Sequence, residues 1–117
     1  MKIFVTGGAG FIGCNFVLMQ VLQNDNHVFN YDKLTYAGNL TSLSAVEGHP
    51  NYQFIQADIC DRNTLKSSLH ICKPDAVIHF AAESHVDRSI DGPFEFIQTN
   101  IVGTAMILDE SLNYYKS

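Results

Sequence analysis

An α/β fold, with a parallel sheet wound on both faces by helices, is the architecture this 117-residue sequence predicts. Three observations lead to it. Short apolar stretches alternate regularly with longer stretches whose apolar residues recur at helical spacing. The short stretches are continuously apolar, as strands buried on both faces are. A glycine-rich segment, Thr6-Gly7-Gly8-Ala9-Gly10-Phe11-Ile12-Gly13, joins the first strand to the first helix. Right-handed crossovers between parallel strands then favour a doubly wound sheet, with the first strand beside the point where strand order reverses.

The elements follow in order. Lys2–Thr6 is a short apolar, β-branched run and the first strand. Phe11–Gln23 carries Phe11, Phe16, Val17, Met19 and Leu22 in an irregular but helix-like pattern. His27–Tyr31 is the second strand. Asn39–Glu47 carries Leu40, Leu43 and Val46, with Asn39 as cap and Gly48 as stop, and predicts a helix. Tyr52–Gln56 is the third strand. Asp61–Lys73 places Leu65, Leu69 and Cys72 on one side of a helix that must stop before Pro74. Asp75–Phe80 is the fourth strand. Pro93–Tyr115 is a long helix whose Phe94, Ile97, Ile101, Ala105/Met106, Leu108 and Leu112 keep close to a 3.6 period. Phe96, Val102 and Tyr114 form a second apolar side, so one side can cover the sheet while the other meets a partner subunit. No repeat, low-complexity tract or linker interrupts these four β-α units, so residues 1–117 read as one domain.

Composition excludes several classes. Apolar residues make up 46% and charged residues 16%, too apolar for a disordered chain. The net charge is −5 and the seven basic residues are scattered, so no nucleic-acid partner is expected. No apolar run approaches the ~18–20 residues that cross a bilayer, and the N-terminal run is too short for a signal peptide. A cytoplasmic protein is the expectation. Cys14, Cys60 and Cys72 are odd in number and widely spaced, which predicts reduced, buried thiols rather than disulfides or a zinc site. No histidine pair has metal-ligand spacing; His79 lies inside a strand and reads as a satisfied core residue, His27, His49 and His70 as surface.

The chemistry gathers at the C-terminal ends of the strands. Gly8, Gly10 and Gly13 fit G-x-G-x-x-G, and Gly7, Gly10 and Gly13 fit the G-x-x-G-x-x-G variant. Glycine permits the tight turn, lets the backbone approach a pyrophosphate and lets helix and strand pack closely. The free N–H groups and dipole at the helix start then hold the phosphates. Asp32 lies 19 residues past Gly13, at the end of the second strand. A carboxylate there accepts from ribose hydroxyls and repels the extra 2′-phosphate of NADP, so NAD is the expected cofactor; Lys33 beside it weakens that inference without reversing it. Asp58 ends the third strand, where a carboxylate can accept from an adenine amino group, while Asp61 reads as a helix cap. Phe80-Ala81-Ala82 ends the fourth strand with small residues that leave room for a cofactor, and Ser84 and His85 follow in a polar loop on the same crevice.

These residues carry a resemblance. The glycine segment, Tyr31-Asp32-Lys33-Leu34-Thr35-Tyr36-Ala37-Gly38-Asn39-Leu40, Ala57-Asp58-Ile59-Cys60-Asp61, Ala81-Ala82-Glu83-Ser84-His85-Val86-Asp87-Arg88-Ser89 and Thr99-Asn100-Ile101-Val102-Gly103-Thr104 span nearly the whole chain. Together they resemble the N-terminal part of the extended short-chain dehydrogenase/reductases, which are Rossmann-fold proteins, and within them the dTDP-glucose 4,6-dehydratases. The glycine motif is shared by many nucleotide-sugar enzymes; the Asp-Lys-Leu-Thr-Tyr-Ala-Gly-Asn and Ala-Glu-Ser-His-Val-Asp-Arg-Ser segments are far more specific to the dehydratases.

The resemblance implies a tightly held NAD and a nucleotide-sugar substrate that is oxidised at C4, loses water across C5 and C6, and recovers the hydride at C6. By motif match, Phe11 and Ile12 would meet the pyrophosphate, with Gly7, Gly10 and Gly13 forming the cofactor-binding turn. Asp32, Lys33, Leu34 and Thr35 would surround the adenosine ribose, and Asp58 and Ile59 would hold adenine. Phe80, Ala81, Ala82, Glu83, Ser84 and Thr99 would line the rest of the channel, with Ser84 and His85 facing the sugar nucleotide. Arg88 is open between that role and a surface pair with Asp87 or Asp91. The resemblance also implies a homodimer paired through its long helices.

The family's Tyr-x-x-x-Lys pair and its Asp-Glu acid/base pair are not found here, so no catalytic residue is assigned. None of the five tyrosines is followed four residues later by a lysine. Asp109-Glu110 sits inside the long helix and reads as a solvated face. The expectation is therefore an incomplete NAD-binding domain, without its catalytic and sugar-binding parts, inactive and poorly folded by itself. Another nucleotide-sugar epimerase or dehydratase, and a non-catalytic NAD-binding module, stay open as alternatives.

Overall fold

The computed structural model describes residues 1–33, 40–80 and 98–117. Four strands, β1 (Lys2–Thr6), β2 (His27–Asp32), β3 (Tyr52–Gln56) and β4 (Ala76–His79), form one sheet in the order β3-β2-β1-β4. Every pairing is parallel: Phe4 lies against Phe29 on one side and Val77 on the other, and Asn30 lies against Phe54. The chain steps outward from β1 to β3, then returns across the sheet to β4. The order therefore reverses at β1, as the alternation of strands and helices predicts, and the C-terminal end of β1 opens on a crevice.

Alternation along each strand sends side chains to two cores. Ile3, Val5 and Val28 go to one face and meet Cys14, Val17, Val21, Leu43 and Val46. Phe4 and Tyr31 go to the other and meet Ile59, Leu65, Leu69, Cys72 and Ile107. Phe4, Val5, Val17, Leu65 and Leu69 are wholly buried, each contributing on the order of 1.5–3 kcal/mol by leaving water.

Helix α1 (Phe11–Leu18) buries Cys14 and Val17, and a π turn over Met19–Gln23 carries the same face on to Val21. The wider turn leaves Met19 and Leu22 half in solvent, so these two members of the predicted stripe are not core. Leu40–Val46 is a 3-10 segment where the sequence predicts an α-helix; Leu43 and Val46, three apart, fall on one side of that tighter coil and both bury. Asn39, the predicted cap, lies outside the described residues.

Helix α2 (Arg62–Cys72) buries Leu65, Ser68, Leu69 and Cys72. Asp61 caps it, accepting from the Thr64 N–H at 3.3 Å and the Thr64 hydroxyl at 2.7 Å. It ends on Lys73 in the left-handed region (φ 50°), directly before Pro74. The predicted long helix enters the described residues as a π turn, Gln98–Gly103, continuing into α3 (Thr104–Lys116); its predicted start at 93–97 lies outside them. Ile107 and Glu110 are the buried residues of α3.

The reading of Asp109-Glu110 as a solvated face needs correction. Glu110 is 3% exposed, and Arg62 on α2 reaches across to it at 2.8 Å and to the exposed Asp109 at 2.6 Å. A carboxylate turned toward the core is paired there with a guanidinium from the neighbouring helix, a pairing with no local sequence signal.

Candidate dinucleotide site

The glycine turn is anchored from both neighbouring strands. The Phe80 N–H donates to the Thr6 carbonyl at 2.8 Å, and the Gly7 N–H donates to the Tyr31 carbonyl at 3.0 Å. The turn then closes on itself, with the Gly10 N–H donating to the Gly7 carbonyl at 3.2 Å. Gly7 has φ 73°, which a residue with a side chain reaches only under strain. Gly13 is glycine for a different reason: a side chain there would strike the Gly7 carbonyl and come within 2.9 Å of the Gly8 Cα. This close seating brings the first turn of α1 directly over the end of β1.

That first turn is built to receive an anion. Gly10 occupies the N-cap in extended conformation and has no side chain to donate an acceptor, and no acidic residue stands in the turn. The N–H groups of Phe11, Ile12 and Gly13 have no acceptor within the helix, and the helix dipole adds partial positive charge in the same place. A Cβ at Gly10 would meet only the Gly7 carbonyl, at 3.4 Å, among the described residues. Ile12 is 68% exposed beside this opening.

Asp32 closes the crevice from β2. It is 9% exposed, and its Oδ2 accepts from the Ala9 N–H at 2.9 Å. The carboxylate predicted to meet ribose hydroxyls is thus also tied to the glycine turn. Two residues earlier, Asn30 is wholly buried, its Oδ1 accepting from the Gly8 N–H at 2.9 Å and its amide donating to the Tyr52 hydroxyl at 3.2 Å. The sequence reading missed Asn30. Its signal was an amide in an otherwise apolar strand, on the same face as Asp32 by the two-residue period.

At the end of β3, the Asp58 Oδ1 accepts from the Cys60 N–H at 2.9 Å and its Oδ2 lies 3.5 Å from the Lys33 ammonium. The Asp58 backbone carbonyl accepts from the Tyr31 hydroxyl at 2.9 Å. Burial, and then the nearby Asp61 and Asp58 carboxylates, push the Tyr31 phenol well above its ordinary range, so it remains a neutral donor. The Ile59 side chain is in the core at 4% exposure, where a side chain at Gly103 would strike it; only its backbone is left to face a ligand.

At the end of β4, the Phe80 ring packs tilted against Phe16 of α1, with centroids 5.4 Å apart and planes at 56°. His79 is the satisfied histidine the sequence predicts, with Nδ1 2.6 Å from the Thr6 hydroxyl and Nε2 3.0 Å from that of Thr104. Burial lowers its pKa. The structure thus brings together Gly7, Gly10, Ile12, Gly13, Asp32, Lys33, Asp58, Ile59 and Phe80 at one end of the sheet. Phe11 opens α1 at this end, and Thr99 falls in the π turn before α3. Leu34, Thr35, Ala81, Ala82, Glu83, Ser84, His85 and Arg88 lie outside the described residues. No group of three or more metal-ligating side chains occurs among the described residues, and none of their helices is long and apolar enough to cross a membrane.

Known proteins share this arrangement. The chain is 53% identical to the dTDP-glucose 4,6-dehydratase of Escherichia coli and 55% identical to that of Neisseria meningitidis, each match covering 98% of the chain and 32% of the relative. It therefore spans about a third of the length of these curated relatives. Among solved structures, the dTDP-glucose 4,6-dehydratase DesIV of Streptomyces venezuelae, crystallised with NAD, superposes with a TM-score of 0.88 at 43% identity. That match covers 97% of the chain and 36% of DesIV. The UDP-glucose 4-epimerase of Thermotoga maritima superposes with a TM-score of 0.86 at 32% identity, over 97% of the chain and 34% of the epimerase. The Rossmann sheet is common to them. The family model for GDP-mannose 4,6 dehydratase matches residues 4–116, nearly the whole chain, and the chain belongs to that family.

Proposed function

We propose that residues 1–117 are the NAD-binding domain of an enzyme that converts dTDP-glucose to its 4-keto-6-deoxy product. The observation that carries this reading is the start of α1. It is uncapped and free of acidic residues, held over β1 by Gly13 and set beside a buried Asp32. Roughly half-identical relatives named for that reaction support it.

In this reading the amides of Phe11 and Ile12 hold the pyrophosphate at the positive end of α1. Asp32 accepts from the adenosine ribose hydroxyls, with Lys33, Leu34 and Thr35 around it. Asp58 and the Ile59 backbone hold adenine. Phe80, Ala81, Ala82, Glu83, Ser84 and Thr99 line the remaining channel, and Ser84 and His85 face the sugar nucleotide. NAD, when bound, supplies a two-electron acceptor that oxidises C4, acidifies the C5 proton so that water can leave, and returns the hydride at C6. The groups that move protons in that reaction are assigned to no residue of this chain.

The protein is proposed to pair through its last helix. Ile101, Leu108, Leu112 and Tyr115 are 63%, 66%, 50% and 85% exposed and follow one another at helical spacing. Met106 and Tyr114 instead pack toward α2 and the sheet. A cytoplasmic location fits three cysteines that stand as thiols, not disulfides.

The whole protein, given dTDP-glucose, is expected to yield a product lighter by one water, read by mass spectrometry. Epimerisation of UDP-glucose without dehydration of dTDP-glucose would transfer the chain to the epimerases, whose fold it shares. Light scattering should give twice the protomer mass; a monomer at micromolar concentration would remove the pairing proposal.

A further inference from the structure

We infer that Asn30 is a positioning residue for the pyrophosphate, setting the glycine turn through the Gly8 amide. The inference rests on the NAD reading above and extends it to a residue that touches no part of the expected ligand. Three observations support it. Asn30 is 0% exposed in mid-strand, and both ends of its amide are used. A backbone N–H can only donate, so the Gly8 contact fixes Oδ1 toward the turn and leaves the NH2 group to donate to Tyr52. The Tyr52 hydroxyl thereby connects the turn, β2 and β3 in one line, and burial, the largest influence, raises its pKa, so it stays protonated and neutral.

The third observation is Gly8 itself. Unlike Gly7, Gly8 has no positive φ, so its backbone would accept a side chain. What forbids one is Asn30: a Cβ on Gly8 would collide with the Asn30 carboxamide, with Nδ2 at 3.0 Å and Oδ1 and Cγ nearer still. One glycine of the motif is therefore small because of a residue 22 positions later. With the Gly8 and Ala9 amides held by Asn30 and Asp32, the turn cannot rotate those donors outward, and the amides at the start of α1 remain for a phosphate.

The test is a titration of the whole protein and three variants, Asn30→Ala, Gly8→Ala and the double Gly8→Ala/Asn30→Ala, with NAD and with adenosine. Losing the acceptor of the Gly8 amide should weaken NAD about tenfold in Asn30→Ala. Adenosine, which has no pyrophosphate, should bind as it does to wild type, because a positioning role acts on the phosphates alone. Gly8→Ala should lose NAD further, and the double variant should recover to the level of Asn30→Ala, since the added methyl then occupies the vacated space. Equal weakening of adenosine and NAD in Asn30→Ala would reduce Asn30 to a structural residue and overturn the inference. So would a double variant no better than Gly8→Ala. A wild type that binds adenosine but not NAD would instead refute the underlying cofactor reading, and the inference with it.

Discussion

Asp32 does two things with one carboxylate. In the proposed reading it meets the ribose hydroxyls, and it accepts from the Ala9 N–H of the glycine turn at 2.9 Å. Asp32→Ala therefore removes a charge-assisted acceptor from the ligand and a support from the turn. NAD affinity should fall about ten- to a hundredfold, with NADP approaching parity, as measured by paired titrations. An unchanged preference for NAD would place the discriminating group elsewhere. Gly13→Ala tests the neighbouring contact. Its methyl would press on the Gly7 and Gly8 backbone, which cannot yield as a flexible side chain can. A loss of about 1–3 kcal/mol in denaturant melts is expected from such overpacking. Much of this was legible in the residues: glycine spacing marked the turn, and distance from Gly13 marked Asp32. The Asn30–Gly8 contact was not, because it depends on which strand lies beside the turn, and a motif read along the chain does not contain that.

At the scale of elements, amphipathic spacing predicted what contacts decide locally and missed what they decide at a distance. Leu65, Leu69 and Cys72 bury as their period implies, and Asp61 caps the helix they belong to. The π turn at Met19–Gln23 and the 3-10 segment at Leu40–Val46 carry the same residue types as ordinary helix, and only packing on the sheet shows the difference. Asp61 also gives a pH dependence. Its hydrogen bonds from Thr64, first from the hydroxyl and then from the N–H, lower its folded pKa. The stabilisation is then complete above the ordinary carboxylate value and is lost as pH falls through the folded one. Urea melts across the acid range should show wild type losing more stability than Asp61→Asn; identical profiles would exclude the cap as the source. Between α2 and α3, Arg62→Met strands the buried Glu110 and should lower the melting temperature, whereas Arg62→Met/Glu110→Met should regain it. A double variant that melts no higher than the single one would show that the pair is not the reason Glu110 is tolerated inside.

For the molecule as a whole, the order β3-β2-β1-β4 puts the most buried strand in the middle and leaves β4 as an edge among the described residues. Ala76, Val77, Ile78 and His79 are all half-buried there, an apolar strand with one row of backbone groups facing outward. Residues 1–117 expressed alone are expected to self-associate through that edge, visible as concentration-dependent light scattering. A soluble monomer with a sharp melt would show that β4 is adequately protected. The alternation of strands and helices makes this architecture readable in the residues alone, because parallel strands and their crossovers allow few arrangements. The same architecture concentrates the glycine turn, Asp32 and Asp58 at one end of the sheet. The most direct measurement is the affinity of the whole wild-type protein for NAD and for NADP under one set of conditions. NAD should bind, and at least about tenfold more tightly than NADP, because the buried Asp32 carboxylate cannot share its site with a phosphate. Equal affinities, or no binding of NAD, would contradict it.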